Sequence, residues 1–373
     1  MHEIYQKVFG VGKAIKGLDG LRAICVLFVL TDHAGLTKRS ESGTLAVWVF
    51  FALSGFLIVP ILFRARQRIE AGSSDAATEI VLFMRNRALR IFPVYYLTLA
   101  LIFLSTVTLV AGDNVDKFYG SVSWLVTYTT NIYIGFVRHD WLGPLSHLWT
   151  LAVEQQFYVL FPLLFIWLPS RFWRSSLLIF LLLLLAVPSL WVFDDELMFR
   201  VNSLSGFYAI AVGGVFGLVA RQLGTINLRF SGLAILALGV LLVLQHLYFI
   251  FGGHPNAALI IAPLLSGLMI MLVTVCQNSA ATRFLDLPLI RGVGVVSYGF
   301  YLFHGLLLGP SGRLVAIATG MRDGTAFQIM QIVTAFILTM IVAIASFVFF
   351  EEKIMQMKKR RVAPTTVAAG SNG

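Results

Sequence analysis

Long apolar runs follow one another almost from end to end of this chain, each closed by a short polar or basic stretch. They fall near residues 18–36, 45–63, 91–111, 121–137, 145–168, 175–193, 203–220, 230–250, 257–276, 293–310 and 327–350. A helix needs about 20 apolar residues to cross roughly 30 Å of hydrocarbon, and most of these runs come close to that length. A single apolar run satisfies its own backbone in lipid only as a helix. The pattern therefore predicts an all-α polytopic membrane protein.

Composition and charge sharpen this picture. Of 373 residues, 58% are hydrophobic and 12% charged, against about 25% charged in a soluble domain. The formal charge of +10 would suit a nucleic-acid partner if it were gathered on one patch. The Lys and Arg instead sit in short loops between apolar runs, as the positive-inside rule requires, so no nucleic-acid partner is expected. Lys7, Lys13 and Lys16 at one end and Lys358, Lys359, Arg360 and Arg361 at the other place both termini in the cytoplasm, which demands an even number of crossings. The run 121–137 (SVSWLVTYTTNIYIGFV) is rich in Ser, Thr, Asn and Tyr and is expected to be re-entrant or interfacial. A bundle of about ten transmembrane helices remains. Seven of the 28 Lys and Arg then lie outside, namely Lys38, Arg39, Lys117, Arg138, Arg200, Arg313 and Arg322, together with the acidic Asp194, Asp195 and Glu196.

The expected divisions are a cytoplasmic segment over 1–16, a transmembrane domain over 17–353, and a basic then disordered cytoplasmic tail over 354–373. The basic start lacks a cleavage-site pattern, so no removable signal peptide is read there. Cys25 and Cys276 both lie in apolar runs and imply neither a disulfide framework nor a metal site. No internal repeat is visible, which speaks against an inverted-repeat transporter.

Ionisable side chains inside spans are costly and usually face a cavity or a partner. In GLDGLRAICVLFVLTDH, Arg22 and His33 are eleven residues apart, a near-whole number of helical turns, so they share a face roughly 16 Å apart along the axis. In HLWTLAVEQQFYVL, His147 and Glu154 are seven apart, again expected on one face, and a bare Glu154 carboxylate in that setting calls for a partner. In RNRALRIFPVYY, Arg87 and Arg90 are spaced i, i+3, beside Arg85. Snorkelling and ordinary anchoring explain single arginines, whereas a cluster meeting Arg22 at one membrane edge suits a phosphate-rich ligand. SYGFYLFHGLLL sets His304 beside tyrosines, where it is either an interfacial anchor or a site residue.

These residues carry a resemblance. The blocks GLDGLRAICVLFVLTDH, VFFALSGFLI, RALRIFPVYY, HLWTLAVEQQFYVLFPLL and VSYGFYLFHGLLL occur in the order found in the acyltransferase-3 family of integral membrane O-acyltransferases, and the chain resembles that family from about residue 16 to 353. Arg22 and His33 match its first-span Arg and His, Arg87 and Arg90 its paired arginines, and Trp149 and Glu154 its Trp-to-Glu block. The fourth block carries Glu154 followed by Gln155 where two Glu often stand. The closing FFEEKIMQ lacks the usual Glu-then-Pro, so no role is carried to Glu351 or Glu352.

The resemblance implies transfer of an acyl group, most often acetyl, from cytoplasmic acyl-CoA to a hydroxyl of a cell-surface polysaccharide or a lipid-linked glycan precursor. The setting implied is the bacterial inner membrane. Acyl-CoA is a co-substrate, with no cofactor bound permanently. Arg22, Arg87 and Arg90 would hold the phosphates of CoA. His33 would act as general base or acyl carrier, and Glu154 would orient it or stabilise its charged form. His147, Trp149 and His304 are candidate acceptor or oxyanion contacts. The competing readings are a proton-coupled secondary transporter, a non-enzymatic interaction protein, and an O-acyltransferase acting on a small glycoside.

Overall fold

The computed structural model describes residues 8, 15–37, 41–109, 113–167, 196–252 and 255–354, and among them the chain is helical without strands. The first long helix among the described residues, α1 (Leu18–His33), starts behind Gly17, whose φ of 83° is a left-handed conformation that favours glycine. It is followed by α2 (Ser42–Glu70), α3 (Ala76–Leu109), α4 (Asp113–Val126) and α5 (Trp149–Trp167). Next come α6 (Ser203–Leu223), α7 (Ser231–Ile250), α8 (Pro255–Val275), α9 (Ser297–Thr319) and α10 (Gly324–Ser346). Shorter helical pieces join them. Asn202 caps α6 by accepting from the backbone N–H groups of Leu204 and Ser205, which satisfies donors the helix start would otherwise leave open.

Among the described residues, six helices are long and apolar enough to cross a membrane. They are α2, the Ala76–Ser105 part of α3, α6, α7, α9, and α10 with its continuation to Ile354. Their outer faces are apolar and open: α7 presents Leu233, Leu236, Val240 and Leu244, and α10 presents Val333, Ile337 and Ile341. Large contiguous apolar surface of this kind is unsuited to water, and the protein is a membrane protein. The expected span over 175–193 lies outside the described residues, as do the basic residues at both ends, Lys16 apart.

No single helix runs through 121–137. The chain breaks after Val126, Tyr128 takes a φ of 55°, and a short Thr130–Ile132 helix passes into a π-helical turn over Tyr133–Arg138. The cause is local. Thr127 donates to the Ser123 carbonyl, and Thr129 and Thr130 to that of Trp124, side-chain bonds that compete with helix continuation.

At the centre, α2 and α6 meet backbone to backbone. Gly55 lies against the Ile210 carbonyl, Gly213 against that of Ala52, and Gly217 against that of Phe56, with no room for a Cβ at any of them. Small residues let membrane helices approach closely and gain dispersion contact where lipid offers no hydrophobic drive. This seam fixes α2, which forms one wall of the site. Gly213→Val should lower the detergent melting temperature, with a cost of at least about 1–3 kcal/mol from overpacking. Gly239→Ala, in open space on α7, should leave it unchanged. Equal melting of the two variants contradicts this seam.

Candidate active site

Two cavities open at opposite ends of the polar face of α1. The first, of about 130 Å³, is lined by Arg22 of α1, Ser54 of α2, Arg87 and Arg90 of α3, Thr150, Glu154 and Tyr158 of α5, and Ser297, Tyr298 and Tyr301 of α9. Apolar side chains, among them Val47, Phe50, Leu53, Leu57 and Ile91, complete it. On α5 the polar lining recurs at i, i+4 and i+8, one helix face. Arg22 is held by Asp19 one turn earlier, Nη1 to Oδ1 2.5 Å. The Arg87 guanidinium lies over the rings of Phe83 and Tyr158, 5.6 and 5.9 Å from their centroids. Its Nε is buried without a hydrogen-bond partner among the described residues, which leaves a donor for a ligand. The Ser54 and Tyr158 hydroxyls bond each other, and both stand beside the Glu154 carboxyl.

The second cavity, of about 360 Å³, is lined by Asp32 and His33 of α1, Glu41, Thr44, Val47 and Trp48 near the start of α2, and Trp141, Ser146, His147 and Trp149 leading into α5. Arg200 and Tyr301 close it. The Arg200 guanidinium is bonded to the Glu41 carboxylate and donates to Thr44 Oγ1 at 3.2 Å. Ser146 Oγ and His147 Nε2 are buried and have no hydrogen-bond partner among the described residues. Three indoles and two unused polar atoms make a surface suited to a ligand with both apolar faces and hydroxyls.

Val47 and Tyr301 border both cavities. The Tyr301 hydroxyl is tied to Thr150 Oγ1 and the His147 carbonyl, both at 2.8 Å. Three imidazoles meet beside it. His33 Nδ1 is 2.8 Å from His304 Nε2, and the His147 ring is 4.6 Å from that of His304 and 6.2 Å from that of His33, centre to centre. Because His33 and His304 aim nitrogens at each other, they are not arranged as ligands of one ion.

The structure brings Arg22, Arg87, Arg90 and Glu154 into one cavity and His33, His147 and Trp149 into the other. Two expectations change. Glu154 does not orient His33, since it lies among arginines and hydroxyls in the first cavity while His304 occupies His33 Nδ1. His304 is no acceptor contact: it is 1% exposed and stands behind His33, bordering neither cavity. The expected common face of His147 and Glu154 is lost as well, at a change of helix type. His147 belongs to a 3-10 turn, Gly143–Leu148, that precedes α5, so the seven-residue spacing to Glu154 does not keep one face. Tyr158, one turn past Glu154, and Tyr301, one turn before His304, were legible by spacing. The Glu41–Arg200 pair, 159 residues apart, left no sequence signal.

The chain is similar in sequence to known proteins. The profile of a family described as "Acyltransferase domain" matches residues 15–350. The chain is 26% identical over 312 residues to O-acetyltransferase OatA of Staphylococcus aureus (strain NCTC 8325 / PS 47), covering 78% of this chain and 50% of that protein. It is 27% identical over 372 residues to the Putative peptidoglycan O-acetyltransferase YrhL of Bacillus subtilis (strain 168), covering 91% of this chain and 55% of that one. The chain thus spans about half the length of the curated relatives it matches. No solved structure matches.

The placement of His147 is open to a direct test. A Cβ on Gly305 would stand 2.7 Å from the His147 ring and from the Pro144 carbonyl, whereas one on Gly309 meets nothing. Gly305→Ala is expected to lower acyl transfer tenfold or more through misplacement of the ring, and Gly309→Ala to leave it unchanged. Equal transfer in the two variants would detach His147 from the site.

Proposed function

The chain belongs to the acyltransferase-3 family, and from that premise we propose that this membrane O-acyltransferase moves an acyl group, acetyl by preference, from cytoplasmic acyl-CoA to a glycan hydroxyl. The acceptor is a cell-surface polysaccharide or a lipid-linked glycan precursor, and the name of one relative, "Putative peptidoglycan O-acetyltransferase YrhL", favours a cell-wall glycan. The location is the bacterial inner membrane, with both ends of the chain cytoplasmic. Acyl-CoA, the glycan and the surrounding lipids are the partners, and no cofactor is held permanently.

One observation carries the reading: a cavity with three arginines and a cavity with an open histidine share a wall at Val47 and Tyr301. Arg22, Arg87 and Arg90 supply the planar, permanently charged donors that phosphate oxygens take in pairs. The apolar lining between them and Tyr301 suits the thin arm of CoA, with the Glu154, Ser54 and Tyr158 group offering partners to its amides. The acceptor enters the second cavity, where Trp48, Trp141 and Trp149 give faces to a sugar ring. His33 takes the hydroxyl proton as the oxygen attacks the thioester carbonyl carbon. The C–O bond forms, the C–S bond breaks, and the leaving thiolate takes the proton back from His33 as free CoA.

His33→Ala should abolish CoA release from acetyl-CoA by purified, folded protein. Release at the wild-type rate would remove His33 from the mechanism. Arg87→Ala should instead raise the apparent constant for acetyl-CoA about 10- to 100-fold, the loss of a charged hydrogen bond of roughly 1.5–3 kcal/mol, with turnover at saturation little changed. An unchanged constant would return Arg87 to a purely structural part.

A further inference from the structure

His304 is placed where only His33, His147 and the main chain can use it. Its ring is buried, its Nδ1 lies 2.6 Å from the Tyr301 carbonyl oxygen one turn earlier on α9, and its Nε2 lies 2.8 Å from His33 Nδ1. The His33 and His304 ring planes are within 15° while their centres are 5.0 Å apart. Nitrogens much closer than centres mean that the rings meet edge to edge in nearly one plane, the arrangement of an in-plane hydrogen bond rather than of a face-to-face stack.

The direction of each hydrogen follows from chemistry. A carbonyl oxygen only accepts, so His304 Nδ1 carries a hydrogen. A neutral imidazole carries one hydrogen in all, so His304 Nε2 is a bare lone pair. His33 Nδ1 must then donate to it, which leaves His33 Nε2 as that ring's lone pair. A doubly protonated His304 would reverse the order, but it would be a buried cation packed against two imidazoles with no carboxylate partner among the described residues, a costly arrangement.

We infer that His304 is the positioning residue of the reaction: its hydrogen bond to the Tyr301 carbonyl fixes His33 as the Nδ1–H tautomer and makes His33 Nε2 the atom that accepts the hydroxyl proton. This rests on the reading of His33 as general base. The Nδ1–H form is the minor tautomer of a free histidine side chain, so the fold selects it. When His33 becomes cationic in the transfer, its bond to His304 turns charge-assisted and shortens rather than breaks. His304 touches neither substrate; it sets the tautomer and the aim of the ring that does.

The test is nitrogen NMR of the full chain in detergent with 15N in the histidine rings, the His33 signals assigned by their absence in His33→Ala. Wild-type His33 should show a protonated Nδ1 and an unprotonated Nε2; the opposite pattern overturns the inference whatever any variant does. His304→Leu should return His33 to the usual tautomer mixture and cut CoA release at saturation a hundredfold or more, with the apparent constant for acetyl-CoA unchanged. His304→Gln, whose side-chain oxygen reaches where Nε2 stood, should keep the tautomer and recover part of the rate. An unaltered His33 tautomer in His304→Leu overturns the assignment. The expected wild-type tautomer in a protein that never releases CoA would sink the proposed function and leave the relay standing.

Discussion

A polar group inside this bundle has no water to turn to, and that constraint organises the rest. An ionisable side chain at bilayer depth costs about 2.5–3.5 kcal/mol on insertion scales, so each one must find a partner or a cavity. Arg22 is held by Asp19 and Arg200 by Glu41, and Glu154 lies beside the Ser54 and Tyr158 hydroxyls in the first cavity. Among the buried polar atoms that lack a hydrogen-bond partner among the described residues, the Nε of Arg87, the Oγ of Ser146 and the Nε2 of His147 belong to residues that line the two cavities.

The two cavities are coupled by shared elements rather than by long-range communication. Helix α1 carries Arg22 at one end and His33 at the other, and α9 sends Tyr298 and Tyr301 to the arginine side and His304 to the back of His33. Tyr301 borders both spaces, its hydroxyl is tied to Thr150 and the His147 carbonyl, and its own carbonyl holds His304. Any shift of α9 therefore moves the partition and the histidine geometry together. The close glycine seam between α2 and α6 keeps the opposite wall still, so the two cavities hold one fixed geometry, which under the proposed reaction is where rate is gained.

Sequence reasoning reached the face shared by Arg22 and His33 and the pair Arg87 and Arg90, because both lie within single continuous helices whose period is constant. It failed for His147 against Glu154, where a 3-10 turn runs into an α-helix and the period changes. The break within 121–137 was legible as polar composition but its detail was not, since it depends on which carbonyl each threonine takes. Contacts between elements, such as His33 with His304 or Glu41 with Arg200, depend on how helices meet and leave no trace in local spacing. That is why spacing alone points to Glu154 as the partner of His33, whereas the ring that meets it is that of His304.

The central claim is a division of labour in which arginines bind the donor and the histidine does the chemistry. It is tested most directly by measuring acetyl-CoA binding and CoA release on the same preparation of the His33→Ala protein. The account predicts wild-type affinity for acetyl-CoA with no release of CoA. Loss of binding in that variant, or release at the wild-type rate, would contradict it.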